Sequence, residues 1–302
     1  MRMPLRGCVN PHCILLAASS PQMVCSASMT WNGFPLQKYL ERIGLSLPPG
    51  ADEQGLQRLH SCQAFSIPFE NLDIHLGRSI SLEPPDLAAK ILERNRGGYC
   101  FELNGIFLLA LEALEFTARP CAARVLYRPE GPGPRTHEAI IVTIDGRNWL
   151  ADVGFGGPGL RLPLRMVQDQ IQEQYGERYR LKRDRDFGIV LQKESGNEFL
   201  NLYAFNDSEL TLAVDLEMAN HYTSTWPSSV FRLHRMCSLA RPWGRVTLSD
   251  MELTTYRDGQ SVSRTLPAGP AYVAAISEHF GIDLDAKYEE FIPLETSGAR
   301  TA

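Results

Sequence analysis

Between Phe101 and Phe116, apolar residues recur at 103, 106, 107, 110, 111 and 114, and Phe101, Leu108 and Leu109 fill the other faces. That spacing predicts a helix buried on most of its sides, around which other elements must be wrapped. It is entered through Arg96-Gly97-Gly98-Tyr99-Cys100, where two glycines permit backbone approaches that a side chain would block. Cys100 therefore stands in the first helical turn, where free backbone N–H groups and the macrodipole favour a thiolate. A buried cysteine that merely fills space fits the same position. Residue 100 alone leaves both readings open.

The residues before this helix read as a small helical bundle. Helical segments are expected within Trp31–Leu45, over Ala51–Phe65 and from Glu83 to Arg94, with breakers at Pro48-Pro49-Gly50 and Asn95–Gly98. Beyond Thr117 the period changes to two. Strands are expected at 122–127, 137–144, 148–153, 179–183, 188–192 and 198–205, with Gly and Pro clustered between some of them. Such a run suits an antiparallel sheet curled into a barrel or sandwich. The last part is mixed: a helix over 207–220, a new segment at 228–231, alternating strands over 245–264 turning at Asp258-Gly259, and a helix over 269–280.

With 302 residues, 44% hydrophobic and 22% charged, the chain has the makings of a large core and several subdomains. A net charge of -5 without a basic stripe argues against nucleic acid as a partner, and no run is long enough to span a bilayer. Seven scattered cysteines with no Cys-x-x-Cys pair argue against a disulfide framework or a zinc cage and for a reducing, cytoplasmic setting. Residues 1–28 match a signal peptide poorly, and Met29 is the expected working start, with the leader disordered or untranslated.

Asp145-Gly146 between two alternating runs is a strong hairpin signal. With those two residues as the turn, Ile144 pairs with Arg147, Ala139 faces Asp152 and His137 faces Gly154. His137 and Asp152 then lie on one face as diagonal neighbours, roughly 7 Å apart at Cβ or less. A histidine on a strand and an aspartate at a strand end each have ordinary structural explanations. Together they supply an imidazole oriented by a carboxylate, able to take a proton from a thiol. Cysteine, histidine and aspartate in this order have the logic of covalent catalysis.

These residues resemble the arylamine N-acetyltransferase family. The likeness is carried by Arg96-Gly97-Gly98-Tyr99-Cys100 with Glu102 and Asn104, by Thr136-His137, by Asp152-Val153-Gly154-Phe155-Gly156, by Pro68-Phe69-Glu70-Asn71-Leu72 and by Asn220–Thr225. The resemblance implies an α+β fold: a helical domain over 29–117, an antiparallel β-barrel over 118–222 and an α/β lid over 223–302, with a papain- and transglutaminase-like catalytic core. It implies Cys100 as nucleophile, His137 as proton acceptor and Asp152 as orienter. Thr136, Phe155 and Gly156 would border the cofactor, and Phe69 would wall the acceptor pocket. Acetyl-CoA would be the co-substrate, with no metal and no bound prosthetic group. The acceptor would be an arylamine, arylhydrazine or N-hydroxyarylamine, and the enzyme a monomer or homodimer in xenobiotic metabolism. A cysteine hydrolase or amide synthase built on the same triad is the alternative.

Overall fold

The computed structural model describes residues 31–128 and 131–294, so the expectations for the leader lie outside it. Helices come first: α1 (Leu36–Arg42), α2 (Glu53–Ser66), α3 (Leu72–His75), α4 (Pro84–Ala88) and α5 (Cys100–Ala113), with a two-residue strand β1 (Phe69–Glu70) between α2 and α3. Asp52 caps α2 by accepting the Gly55 N–H at 2.8 Å. The helix expected to run to Arg94 stays α-helical only to Ala88 and continues as a wider π turn over Ala89–Glu93, on which Lys90 is buried. The central helix α5 is buried from Cys100 to Leu111 and ends at Ala113, sooner than its apolar pattern suggests. There Glu115 adopts a positive φ of 61° and reverses the chain.

The middle of the chain forms β2 (Thr117–Val125), β3 (His137–Ile144), β4 (Arg147–Ala151), β5 (Leu164–Arg165), β6 (Gln172–Gln174), β7 (Glu177–Asp184), β8 (Gly188–Ser195) and β9 (Glu198–Phe205). They make one antiparallel sheet in the order β5-β4-β3-β2-β9-β8-β7-β6. Its two edge strands are tied by side chain: Gln172 on β6 accepts the Arg165 N–H at 2.9 Å and donates to the Arg165 carbonyl at 2.9 Å. The sheet is thus a nearly closed barrel, and a glutamine supplies the ladder bonds its edges would otherwise lack.

Past the barrel come α6 (Ala213–Thr225), α7 (Val230–Leu233), β10 (Met236–Arg241), β11 (Gly244–Ser249), β12 (Glu252–Arg257), β13 (Gln260–Thr265) and α8 (Pro270–Phe280). The helix expected from Asp207 starts at Ala213, where Asp215 accepts the Leu212 N–H at 2.9 Å and fixes the first turn. Strand β10, which the sequence pattern did not reveal, is central: the second sheet runs β1-β10-β11-β12-β13. Through the pairs Phe69–Ser238 and Glu70–Cys237 it joins the last third of the chain to the helical part.

Three apolar clusters divide these layers. One packs α1, α2 and α5 against Ile140, Val142, Trp149 and Ala151 on the outer face of β3 and β4. A second fills the barrel and includes Ala139, Ile141 and Leu150. A third lies between the second sheet and α8. Alternation along β3 therefore sends even-numbered residues toward α5 and odd-numbered ones into the barrel. No helix among the described residues is long and apolar enough to cross a membrane.

Candidate active site

The loop that delivers Cys100 is held from below by buried charge. Arg96, 3% exposed, donates from Nε to Glu70 at 3.0 Å and lies 3.1 Å from Asp73. Lys90 meets Glu102 at 2.7 Å and Asp73 at 2.8 Å. Burial works against both cations, but the carboxylates around them outweigh it and hold both above their ordinary pKa values. The Gly97-Gly98 turn lies on the strand beside it, with the Glu70 N–H donating to the Gly98 carbonyl at 2.9 Å. A Cβ on Gly97 would sit 2.0 Å from the Pro68 carbonyl oxygen, so only glycine fits. Glu102 turns back to accept the Tyr99 N–H at 3.0 Å and closes the start of α5.

Cys100 is the first residue of α5 and is buried, its sulfur 3.8 Å from the Thr136 carbonyl. Burial pushes its thiol up, and the charges of Glu138 and Asp152 add to this, while the backbone N–H groups of Glu138 and Phe101 oppose them. The helix terminus expected to favour a thiolate is therefore overridden by desolvation. A charge on this sulfur requires a cation formed beside it.

The hairpin has the expected register, with Ile144 paired to Arg147 and Ile140 to Ala151. Its ladder stops there. Asp152 lies just beyond, and its Oδ2 is 2.8 Å from His137 Nε2. Burial opposes the charge on Asp152, but His137, Asn104 and the Gly154 N–H together hold its carboxyl below its ordinary value. With Nε2–H donating to Asp152, the neutral imidazole keeps its lone pair on Nδ1. The ring is enclosed by Phe155 and Tyr203, with centroids at 5.1 and 4.8 Å.

Asn104 fastens this hairpin to the cysteine helix. It stands one turn beyond Cys100, on the same side of α5. Its Nδ2 donates to the Asp152 carboxylate at 3.0 Å and to the Glu138 carbonyl, and its Oδ1 accepts the Val153 N–H at 3.0 Å. Gly154 lets the two segments close: a Cβ there would lie 2.7 Å from Asn104 Nδ2 and 2.9 Å from Cys100 Cα. The motif showed Asn104 and Gly154 as letters without showing this contact.

Glu138 carries a different consequence. Its side chain faces α5, fully buried, and neither carboxylate oxygen has a partner among the described residues. Burial, with Asp152 adding to it, pushes its carboxyl well above the ordinary value. A group that holds its proton more tightly when folded costs stability as pH rises above its unfolded value, about 4.3. Glu138→Met is expected to be more stable than the parent by about 1–3 kcal/mol at pH 7.5, with the gain shrinking toward pH 5. Urea unfolding at the two pH values checks this; an equal or negative difference at both would refute it.

A cleft beside Asp152 is lined by Phe69, Phe155, Gly156, Gly157 and Ser238. Of the residues expected for acceptor and cofactor, Phe69, Phe155 and Gly156 line this cleft and Thr136 does not, with Gly156 against the Phe69 ring. Thr136 touches the site through its carbonyl. The pattern did not reveal Phe231, whose ring lies 6.0 Å from Phe69 and 5.6 Å from Tyr99. Nor did it reveal Ser238, which accepts the Gly157 N–H at 3.0 Å. Ser238 lines the cleft and Phe231 backs its Phe69 wall, each from the last third of the chain and through contacts with no local signal.

An N-acetyltransferase family profile matches residues 53–289. The arylamine N-acetyltransferase of Escherichia coli K12 is 37% identical over 253 residues, covering 83% of this chain and 89% of that protein. A Salmonella typhimurium protein, named arylamine N-acetyltransferase / N-hydroxyarylamine O-acetyltransferase, is 35% identical, covering 82% of this chain and 89% of its own length. Among solved structures, Mycobacterium marinum arylamine N-acetyltransferase in complex with CoA superposes with a TM-score of 0.79 at 33% identity, covering 84% of this chain and 96% of that one. By sequence, by fold and over most of its length, the chain belongs to the arylamine N-acetyltransferase family.

Proposed function

We propose that the protein moves the acetyl group of acetyl-CoA to the nitrogen of an arylamine, arylhydrazine or N-hydroxyarylamine, by a ping-pong route through an acetyl-Cys100 intermediate. The carrying observation is the 2.8 Å contact that joins His137 to a buried Asp152, with Asn104 tying that carboxylate to the helix that begins at Cys100. Asp152 fixes the imidazole so that Nδ1 accepts the Cys100 proton. Because burial disfavours a lone thiolate, the sulfur becomes anionic only as its proton passes to His137.

The sulfur forms a bond to the thioester carbonyl carbon, and the bond to the CoA sulfur breaks. His137 returns its proton to that leaving thiolate. A neutral aromatic amine then attacks acetyl-Cys100, gives its proton to His137, and the Cys100 sulfur leaves. Phe155, Gly156 and Thr136 border the path for the cofactor, and Phe69 with Phe231 walls the side for an aromatic acceptor. The Salmonella relative's name supports N-hydroxyarylamines among the acceptors, and the CoA complex of the mycobacterial structure supports the donor. Cys62, Cys100, Cys121 and Cys237 are all free thiols, which suits a reducing cytoplasmic compartment.

Intact-mass analysis after exposure to acetyl-CoA is expected to show one acetyl group, mapped to Cys100, that is discharged by aniline as acetanilide. An adduct mapped elsewhere would defeat the proposal. An adduct discharged as fast by water as by aniline would favour the hydrolase reading.

A further inference from the structure

His60 lies on α2, outside the Cys100, His137 and Asp152 set, fully buried with its ring edge-on to Phe107 at 5.7 Å. Its Nε2 accepts the backbone N–H of Asp152 at 3.1 Å, across 92 residues of sequence. The β3–β4 ladder ends at Ile140–Ala151, and the next three backbone N–H groups go to side chains. Asp152 donates to His60, Val153 to Asn104 and Gly154 to the Asp152 carboxylate. The aspartate is thus suspended between two helices, α2 and α5, at the place where it leaves the strand.

The bond also defines the ring. A nitrogen that accepts carries no proton, so His60 is neutral with its hydrogen on Nδ1. Burial lowers its pKa to about 4, outweighing the nearby Asp152 charge, and Nδ1 has no hydrogen-bond partner among the described residues. Packing alone does not call for this residue, because an apolar side chain of similar size would rest on Phe107 equally well. What an apolar side chain lacks is an acceptor. Without one, the buried Asp152 N–H is left unpaired, a cost that drives the segment to move.

We propose that His60 is a positioning residue for the acetyl-transfer reaction, holding the Asp152 backbone so that its carboxylate meets His137 Nε2. This rests on the reading that Cys100, His137 and Asp152 act together. His60 touches neither substrate nor sulfur; it acts through Asp152. A displaced carboxylate supports the imidazolium less, and the Cys100–His137 pair then charges less readily.

The test follows iodoacetamide alkylation of Cys100 against pH by peptide mass mapping, alongside melting curves, in the full chain and in His60→Leu and His60→Gln. This readout needs no acetyl donor or acceptor. In His60→Leu the alkylation midpoint is expected to rise by about one pH unit, making alkylation about tenfold slower at pH 6. In His60→Gln, whose amide oxygen restores an acceptor, the rate is expected within about threefold of the parent. An unchanged midpoint in a folded His60→Leu, even one that melts earlier, would overturn the proposal and leave His60 a packing residue. Should His60→Leu not fold, His60→Gln decides: a native-like midpoint supports the proposal, and a full-unit rise at unchanged melting temperature overturns it. If Cys100 of the parent chain alkylates like an ordinary thiol, the triad reading itself fails, and that result is distinct from either outcome.

Discussion

Replacing Cys100 by alanine is expected to abolish the acetyl-enzyme and to lower arylamine acetylation by at least about 10⁴-fold, with the melting temperature nearly unchanged. The size follows from the proposed role: without a nucleophile, His137 and Asp152 would have no proton to move, and groups that act as a unit lose their effect together. The near-constant stability follows from how little is removed. The sulfur touches the Thr136 carbonyl at 3.8 Å, and α5 is held by Leu103, Ile106, Phe107 and Leu111 in the helical cluster. Stopped-flow release of CoA thiol from acetyl-CoA reads the first half-reaction, and acetanilide formation reads the whole. A Cys100→Ala protein that forms acetanilide at the parent's rate would show that acetyl passes directly between substrates. A serine at this position keeps the shape but not the chemistry, because a hydroxyl is far less acidic than a thiol. It is expected to fall nearly as far.

Arg96→Met is expected to cost about 3–5 kcal/mol of folding stability, the range for breaking a buried ion pair by removing one partner. Arg96 and Lys90 face Glu70, Asp73 and Glu102, so losing the guanidinium leaves Glu70 beside Lys90 only at 3.9 Å. Burial and the loss of both nitrogens that meet Glu70 Oε1 then act on the same carboxylate. Arg96→Lys keeps a charge but not the guanidinium fork, and an intermediate loss is expected. Urea unfolding at pH 7 measures both. A loss below about 1 kcal/mol for Arg96→Met would show that the network rearranges around the gap and that the loop has another support. The activity of the folded fraction is expected to change much less than its amount, since Arg96 lies beneath the loop rather than in the cleft. The loop that delivers Cys100 is thus stabilised by charges that lie outside the cleft.

Much of the fold is visible in one dimension because the forces that make it are local. The apolar pattern from Leu103 onward identifies α5, and period-two alternation identifies β3, β4, β8 and β9. The Asp145-Gly146 turn sets a register, and with the register the face that His137 and Asp152 share. Where local and tertiary preferences compete, the pattern misleads. Asp207–Leu212 has residues compatible with a helix, yet the chain waits for the Asp215 cap. Met236–Arg241 alternates weakly, yet becomes a central strand because β1 and β11 need a partner between them. The helix terminus that favours a thiolate at Cys100 is a local effect too, and burial, a property of the whole fold, outweighs it.

The sequence by itself determined the buried helix that starts at Cys100, the hairpin that brings His137 toward Asp152, the change from helical to barrel architecture and the family resemblance. All depend on periodicity, turn chemistry or short motifs, which act over a few residues. The tertiary structure alone decided what holds those groups in place. His60 and Asn104 take the backbone N–H groups beyond the end of β4, and from far along the chain Ser238 completes the cleft while Phe231 backs its Phe69 wall. Gln172 ties the barrel edges together. The physical reason is common to them: a buried polar group must find its partner wherever the packed chain places one, and no spacing in the sequence records that distance.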